Sequence, residues 1–151
     1  MKAIIQRVKS ARVDIDGKTV GEIGVGFLVL LGVEQDDDER HAKALADKIS
    51  VLRVFTDEND KMNLSVKDID GSVLVISNFT LCGDCSHGRR PSFIAAARPE
   101  KAEPLYEYFC GAILENGVKS VEKGVFGADM QVSLINDGPV TISINSKDLK
   151  I

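Results

Sequence analysis

The chain has 151 residues, a size typical of one domain, and we expect residues 1–151 to form a single domain. Hydrophobic residues make up 44% and charged residues 28%, which argues against a disordered chain, and the net charge of −4 argues against a broadly basic nucleic-acid binder. The longest apolar run, Phe27 to Leu31, is far shorter than the roughly 20 residues that cross a bilayer. The opening segment, Met1 to Arg7, lacks the features of a signal peptide. We therefore expect a soluble, cytoplasmic protein with no membrane partner.

Strand periodicity is visible in the first third of the chain. Between Ala11 and Ile15 apolar residues alternate with charged ones, Asp16-Gly17 marks a tight turn, and Val20 to Ile23 returns as a second strand. The uninterrupted apolar runs Phe27–Leu31 and Val73–Ile76 are typical of strands that are buried on both faces.

Two segments have the apolar spacing of amphipathic helices. The first comprises Ala42, Leu45, Ala46, Ile49 and Leu52, and the second Ala102, Leu105, Tyr106, Phe109 and Ile113. A run of aspartates before the first helix supplies oxygens for its N-cap. Pro99 is suited to the start of the second helix, and Asn116-Gly117 to its end.

The C-terminal segment predicts two further strands, at Met130–Leu134 and Val140–Ile144, with a hairpin turn at Asn136–Pro139 between them. The predicted order is β-β-β-α-β-β-α-β-β-β. This order indicates an α/β fold in which two helices cover one face of a mixed sheet, with a second sheet layer behind it.

Polar side chains follow the buried strand Val73–Ile76 at the point where it ends. Ser77, Asn78 and Thr80 could orient a substrate or a water, and backbone amides there could form an oxyanion hole. The spacing alone favours a structural role, in which these side chains cap the strand end. Because the chain has only two histidines and no nucleotide, zinc-protease or serine-hydrolase motif, a hydrolase built on it would lack the usual side-chain base.

Two further segments have both a functional and a structural interpretation. Cys82 and Cys85 have the spacing of a zinc or redox pair, but no second such pair exists, and Cys110 occupies an apolar helix position where a buried free thiol is common. We therefore predict no metal. Arg89 and Arg90, flanked by a glycine and a proline, could bind phosphates or lie in an ordinary solvated loop.

Taken together, these segments resemble the D-aminoacyl-tRNA deacylase (D-tyrosyl-tRNA deacylase) family. The segments that carry the resemblance are Met1–Val13, Gly26–Val33, Ser77–Leu81, Gly88–Phe93, Phe126–Met130 and Asn136–Thr141. They occur in the family's order and spacing along the whole chain. One departure is Asn78, where the family usually has glutamine.

The resemblance implies an α/β/β three-layer homodimer that hydrolyses the ester of D-aminoacyl-tRNA, and of glycyl-tRNA, without a cofactor. It implies tRNA as the nucleic-acid partner and not DNA. The peptide bond between Gly138 and Pro139 would be cis, and this dipeptide would enter the pocket of the partner subunit and reject L-amino acids by a backbone clash. Catalysis would depend on backbone amides and the 2′-hydroxyl of the tRNA.

The resemblance also implies a role for each candidate residue. Those assigned to catalysis are Ser77, Phe79 and Thr80. Those assigned to substrate binding are Gly138, Pro139, Asn78, Phe126, Met130, Arg7 and Thr141, and those assigned to tRNA binding are Arg89 and Arg90.

Three alternatives remain at this point. A related deacylase that edits a mischarged L-aminoacyl-tRNA would share most of these residues. An RNA-binding module without turnover would use Arg89 and Arg90. A zinc or redox module would use Cys82 and Cys85.

Overall fold

The computed structural model describes all residues from Met1 to Ile151. Its first three strands are antiparallel neighbours: β1 (Lys2–Ile15), β2 (Lys18–Ile23) and β3 (Gly26–Gly32). The turn between β1 and β2 contains Asp16 at φ 50° and Gly17 at φ 77°, which confirms the predicted hairpin. Strand β1 begins nine residues before the alternating segment, because its first half pairs with β3 and buries Ala3 and Ile5.

The remaining elements are two helices, five strands and two 3-10 turns. They are α1 (Glu39–Val51), β4 (Phe55–Thr56), β5 (Met62–Leu64), β6 (Ser72–Ser77), a 3-10 turn (Phe79–Cys82), α2 (Pro99–Glu115), β7 (Ser120–Lys123), β8 (Gln131–Asn145) and a second 3-10 turn (Ser146–Asp148). Three strands thus lie between the helices and two strands follow α2. The sequence pattern predicts two strands between the helices and three strands after α2. Neither helix has the length and apolar composition of a membrane-spanning segment.

The main sheet is mixed, as predicted. Its order is β2-β1-β3-β6-β7, and β8 pairs with the other edge of β1. Strands β3, β6 and β7 are mutually parallel, and every pairing of β1 is antiparallel. The parallel arrangement brings the C-terminal ends of β3 and β6 to the same edge of the sheet, where the loops that follow them meet.

Both faces of β3 and β6 are buried, as their apolar runs predict. On one face Phe27 and Val29 pack with α1 and α2 residues in a core of 24 buried residues. On the other face Leu28, Leu74 and Ile76 belong to a second cluster of 7 buried residues. Successive residues of one strand therefore stabilise two separate cores.

The ends of both helices follow the sequence signals. Asp38 is the N-cap of α1, where its side chain accepts hydrogen bonds from the amides of Arg40 and His41. Pro99 occupies the first turn of α2, and Asn116 ends that helix.

Helix α2 is fixed on the sheet by a buried tyrosine. The hydroxyl of Tyr106 donates a hydrogen bond to the Val75 carbonyl of β6 at 2.7 Å. Because this bond satisfies a polar group inside the core, it sets the position of the helix relative to β6.

The predicted hairpin at Asn136–Pro139 is wrong. Strand β8 runs without reversal from Gln131 to Asn145, and both of its halves pair antiparallel with β1. The register changes in the middle, since Val8 opposes Asn136 while Gln6 opposes Thr141. Four residues of β8, 137–140, therefore lie opposite the single residue Arg7 and bulge out of the strand. The turn-forming residues make this bulge because the long strand β1 pairs with the chain on both sides of it.

Candidate active site

A cavity of about 530 Å³ lies where β3 and β6 end. Its walls come from the ends of these strands, the 79–82 turn, the segment before α2, the first turn of α2, and the loop between β7 and β8. The residues that line it are Leu31, Val33, Ser77, Asn78, Phe79, Phe93, Ala96, Ala97, Arg98, Pro99, Ala102, Phe126, Gly127, Ala128 and Met130. The parallel strands position this cavity, since ligand sites in such sheets lie at the carboxyl ends of the strands.

The strand-exit residues are held in place by β3. The Asn78 amide donates to the Leu31 carbonyl at 2.8 Å, so the chain leaves β6 along the end of β3. The neighbouring Gly32 leaves no room for a side chain: a Cβ atom there would lie 3.1 Å from both the Asn78 oxygen and Leu81 Cβ. The position of the 79–82 turn therefore depends on a close contact with a glycine.

The cavity lining is largely apolar, with a few polar groups. Ten of its fifteen residues are hydrophobic, and Arg98 is the one charged side chain among them. Ser77 and Asn78 add a hydroxyl and a carboxamide. Phe79, the first residue of the 79–82 turn, adds a backbone amide, because the first amides of a helical turn have no partner within it. Such a site can orient a polar ester by hydrogen bonds, but no lining side chain is an ordinary general base.

Thr80 is turned toward Asn78 rather than into the cavity. Its hydroxyl donates a hydrogen bond to the Asn78 carboxamide oxygen, and Thr80 does not line the cavity. Phe79, by contrast, lies at the cavity rim with 57% of its surface exposed, and its ring packs edge-on against Phe93 at a centroid distance of 5.2 Å. Phe126 and Met130 line the cavity.

The residues Asp137, Gly138, Pro139 and Val140 form a separate surface loop, called here the 137–140 loop. Gly138 and Pro139 are exposed, the peptide bond between them is cis, and neither lines the cavity of its own chain. Arg7 is buried beneath the loop. Its Nε donates to the Asp137 carbonyl at 2.9 Å and its Nη1 to the carbonyl of residue 54 at 2.6 Å, which ties the loop to the segment before β4.

Arg89 and Arg90 lie in a third place, at the tip of an exposed loop. Asp84 and Ser92 close the base of this loop with two backbone hydrogen bonds of 2.8 and 2.9 Å. Hydrogen bonds from Ser86 to the Asp84 carboxylate hold the pKa of Asp84 below its usual range. Both arginines are exposed and available to a negatively charged partner.

The cysteines occupy different environments. Cys82 and Cys110 are buried and Cys85 is exposed, and all three are free thiols. Burial raises the pKa of Cys82 and raises that of Cys110 to about 12, which suppresses the reactive thiolate. No group of three or more His, Cys, Asp or Glu side chains is arranged to hold a metal ion.

Sequence reasoning missed the wall that precedes and begins α2, at Ala96, Ala97, Arg98, Pro99 and Ala102. The helix start at Pro99 is visible in the sequence, but its position beside the end of β6 follows from packing between elements. The sequence pattern also places Asn136 only in a turn, whereas its side chain bonds across the base of the 137–140 loop.

Comparison with known proteins identifies the family. The family model described as D-Tyr-tRNA(Tyr) deacylase matches residues 4–145. The chain belongs to the D-Tyr-tRNA(Tyr) deacylase family. A relative from Thermosipho africanus named D-aminoacyl-tRNA deacylase is 57% identical, and the alignment covers 97% of this chain and 98% of the relative. As a member of this deacylase family, the chain is an enzyme that acts on D-aminoacyl-tRNA.

Two solved structures have the fold of this deacylase. One, named c-Myc DNA Unwinding Element Binding Protein, is 39% identical with a TM-score of 0.91, and the match covers 96% of this chain and 98% of that chain. The other, described as a probable eukaryotic D-amino acid tRNA deacylase, is 16% identical with a TM-score of 0.77, over 95% and 98% of the two chains.

Proposed function

We propose that this deacylase is a cytoplasmic homodimer that hydrolyses the ester between a D-amino acid, or glycine, and the 3′-terminal ribose of tRNA, and that it excludes L-amino acids through Gly138 and Pro139. The observation that carries the proposal is the separation of two features on one chain. The cavity at Ser77–Phe79 is open, and the exposed 137–140 loop lies outside it. A two-fold dimer would bring the loop of each subunit to the cavity of the other, with three layers formed by the helices and the two sheet regions.

Rejection of L-amino acids would come from the backbone. Gly138 carries no side chain, and Arg7 holds the preceding carbonyl at 2.9 Å, so the loop presents carbonyl oxygens on a fixed frame. An L side chain would collide with these oxygens, whereas a D side chain or the hydrogen of glycine would point away. Since the obstacle is backbone, the filter would act on chirality and not on side-chain type.

Hydrolysis would proceed without a protein base. The cavity lining contains no histidine or carboxylate. The backbone amide of Phe79, which lines the cavity, would stabilise the oxyanion, while Ser77 and Asn78 would orient the ester. Thr80 would hold the Asn78 carboxamide in place. The ribose 2′-hydroxyl next to the ester would assist the attacking water.

The rest of the tRNA would bind outside the cavity. Arg89 and Arg90 are exposed on their loop, and Arg98 lies at the cavity wall, so basic groups are available near the acceptor end for its phosphates. This predicts that tRNA affinity falls as salt concentration rises, whereas the rate of hydrolysis at saturation stays the same.

The proposal predicts that the metal-free protein hydrolyses D-tyrosyl-tRNA and leaves matched L-tyrosyl-tRNA intact. Time courses with both esters, and with glycyl-tRNA, measure this directly. Loss of the L ester at an equal or higher rate would overturn chiral selection and support the alternative, an enzyme that edits L-aminoacyl-tRNA.

One structural neighbour is named for binding a DNA element, which gives a second candidate function. The same assay separates the two candidates when unlabelled duplex DNA is added as a competitor. Inhibition only by tRNA supports a tRNA enzyme. Equal inhibition by DNA would show that the basic surface does not select tRNA.

A further inference from the structure

The base of the 137–140 loop is closed by two side chains. Asn136 Nδ2 donates to Thr141 Oγ1 at 3.0 Å, and Asn136 Oδ1 accepts from the Val140 amide at 2.9 Å. Gln6 Nε2 of β1 also donates to Thr141 Oγ1, at 3.4 Å. Asn136 and Thr141 are the last residues on either side of the loop that keep register with β1. We call this pair the neck.

The neck replaces backbone pairing that the bulge removes. Residues 137–140 have no counterparts on β1 other than Arg7, so the sheet ladder does not fix them. The Val140 amide obtains its acceptor from the Asn136 side chain instead, and Pro139 has no amide to satisfy. Arg7 contacts the carbonyl of Asp137 on one side of the loop, while the neck holds the other side at Val140.

We infer that Asn136 and Thr141 are positioning residues that set the stringency of chiral selection by fixing the width of the loop. This inference rests on the proposed function, and it assigns Thr141 to the loop's support and not to contact with the substrate. A backbone obstacle rejects an L side chain only while its carbonyl oxygens stay within a fraction of an ångström of one position. A looser neck lets the loop yield to the L side chain, so hydrolysis of the L ester rises more than hydrolysis of the D ester falls.

The test uses Thr141→Val, which keeps the shape of the side chain but removes Oγ1, and Asn136→Ala, which removes both bonds. Thr141→Ser restores the hydroxyl, and Ser143→Ala changes another exposed residue of β8 as a control. The readout is the ratio of kcat/KM for D- and L-tyrosyl-tRNA, measured with the full-length protein. We expect this ratio to fall about fivefold or more in Thr141→Val and Asn136→Ala, the factor that the loss of one hydrogen bond of about 1 kcal/mol gives. Thr141→Ser and Ser143→Ala keep the wild-type ratio.

A merely structural role predicts a different result. It lowers the melting temperature and reduces both kcat/KM values by the same factor, so an unchanged ratio overturns the inference. Gly138→Val, which alters the loop itself, distinguishes the effect of the loop from the effect of the neck that supports it. If Gly138→Val lowers the ratio and the neck variants do not, the neck inference alone is wrong. If the wild-type protein shows no preference for the D ester, the proposed function is wrong and the inference fails with it.

Discussion

Glu34 is buried just after β3, with its carboxylate 3.3 Å from Lys2 Nζ and 3.0 Å from Lys147 Nζ. Burial raises the pKa of Glu34, but the hydrogen bonds and charges of Lys147 and Lys2 lower it by more, and the pKa lies below its usual range. The stability that this carboxylate contributes is therefore present above the ordinary glutamate pKa of about 4.3. It is lost as the pH falls through the lower pKa of the folded state.

Glu34→Gln is expected to lower the melting temperature by about 2–4 °C at pH 7, since it removes partly buried ion pairs. The difference from wild type shrinks as the pH falls below the ordinary glutamate pKa of about 4.3 and through the lower pKa of the folded state, because the wild-type carboxylate then becomes protonated as well. Thermal unfolding at a series of pH values measures both effects. Asp36→Asn, at an exposed neighbour, serves as the control. A difference that is the same at neutral and acidic pH would contradict the assignment.

Gly32 governs the contact between the end of β3 and the 79–82 turn. A Cβ atom there would lie 3.1 Å from the Asn78 oxygen and 3.3 Å from Cys82 Sγ, which is closer than such contacts normally are. The turn would have to move by a few tenths of an ångström. It would carry the cavity-lining backbone with it.

Gly32→Ala is therefore expected to lower kcat/KM for D-tyrosyl-tRNA by about tenfold or more, since small displacements of catalytic groups are costly. Gly24→Ala is the matched control, because a Cβ atom at Gly24 meets no atom within 4 Å. Steady-state kinetics measure kcat/KM of the two variants for comparison with the wild type. Equal activity in both would show that the 79–82 turn tolerates displacement.

Local sequence patterns predict some of the secondary-structure elements and not others. The two amphipathic helices, the hairpin at Asp16-Gly17 and the doubly buried strands β3 and β6 are set by local periodicity, and they are confirmed. Strands β4 and β5 have two and three residues, too few to show a period. The hairpin predicted at Asn136–Pro139 fails because turn residues report only local backbone preference. The pairing of both halves of β8 with β1 depends on contacts more than 100 residues apart.

The candidate site likewise contains residues whose positions the sequence predicts and residues whose positions it does not. Ser77, Asn78 and Phe79 follow a recognisable buried strand, so their place at a strand end could be predicted from the sequence. The wall that precedes and begins α2, including Arg98, could not, because it reaches the cavity only when the helix packs on the sheet. The neck at Asn136 was missed for a related reason, since its role depends on a register shift that no local pattern shows.

The proposed function needs two copies of the chain. The cavity and the 137–140 loop are separate on one chain, and Gly138 and Pro139 are exposed. In a two-fold dimer the same surfaces meet twice, so the two sites are equivalent. In the proposed dimer, the loop of one subunit selects the substrate in the cavity of the other.

Two variants change the cavity and the loop independently of each other. Ala128→Trp fills the cavity, which Ala128 lines, and leaves the loop intact. Gly138→Val alters the loop and leaves the cavity intact, because Gly138 has φ 140° and a Cβ atom there would lie 2.8 Å from Val140 Cγ2. If the loop acts across subunits, the one open cavity of a mixed dimer faces the one intact loop.

A mixed-dimer experiment distinguishes a loop that acts across subunits from one that acts within its own chain. It measures the D-to-L ratio of kcat/KM for Gly138→Val subunits refolded with an excess of Ala128→Trp subunits. Ala128→Trp alone is expected to be inactive on both esters, and Gly138→Val alone to have a reduced ratio. If the loop acts on the partner's cavity, the mixture hydrolyses the D ester with the wild-type ratio. If the ratio stays at the value of Gly138→Val alone while mixed dimers are present by native mass spectrometry, the cross-subunit account is contradicted.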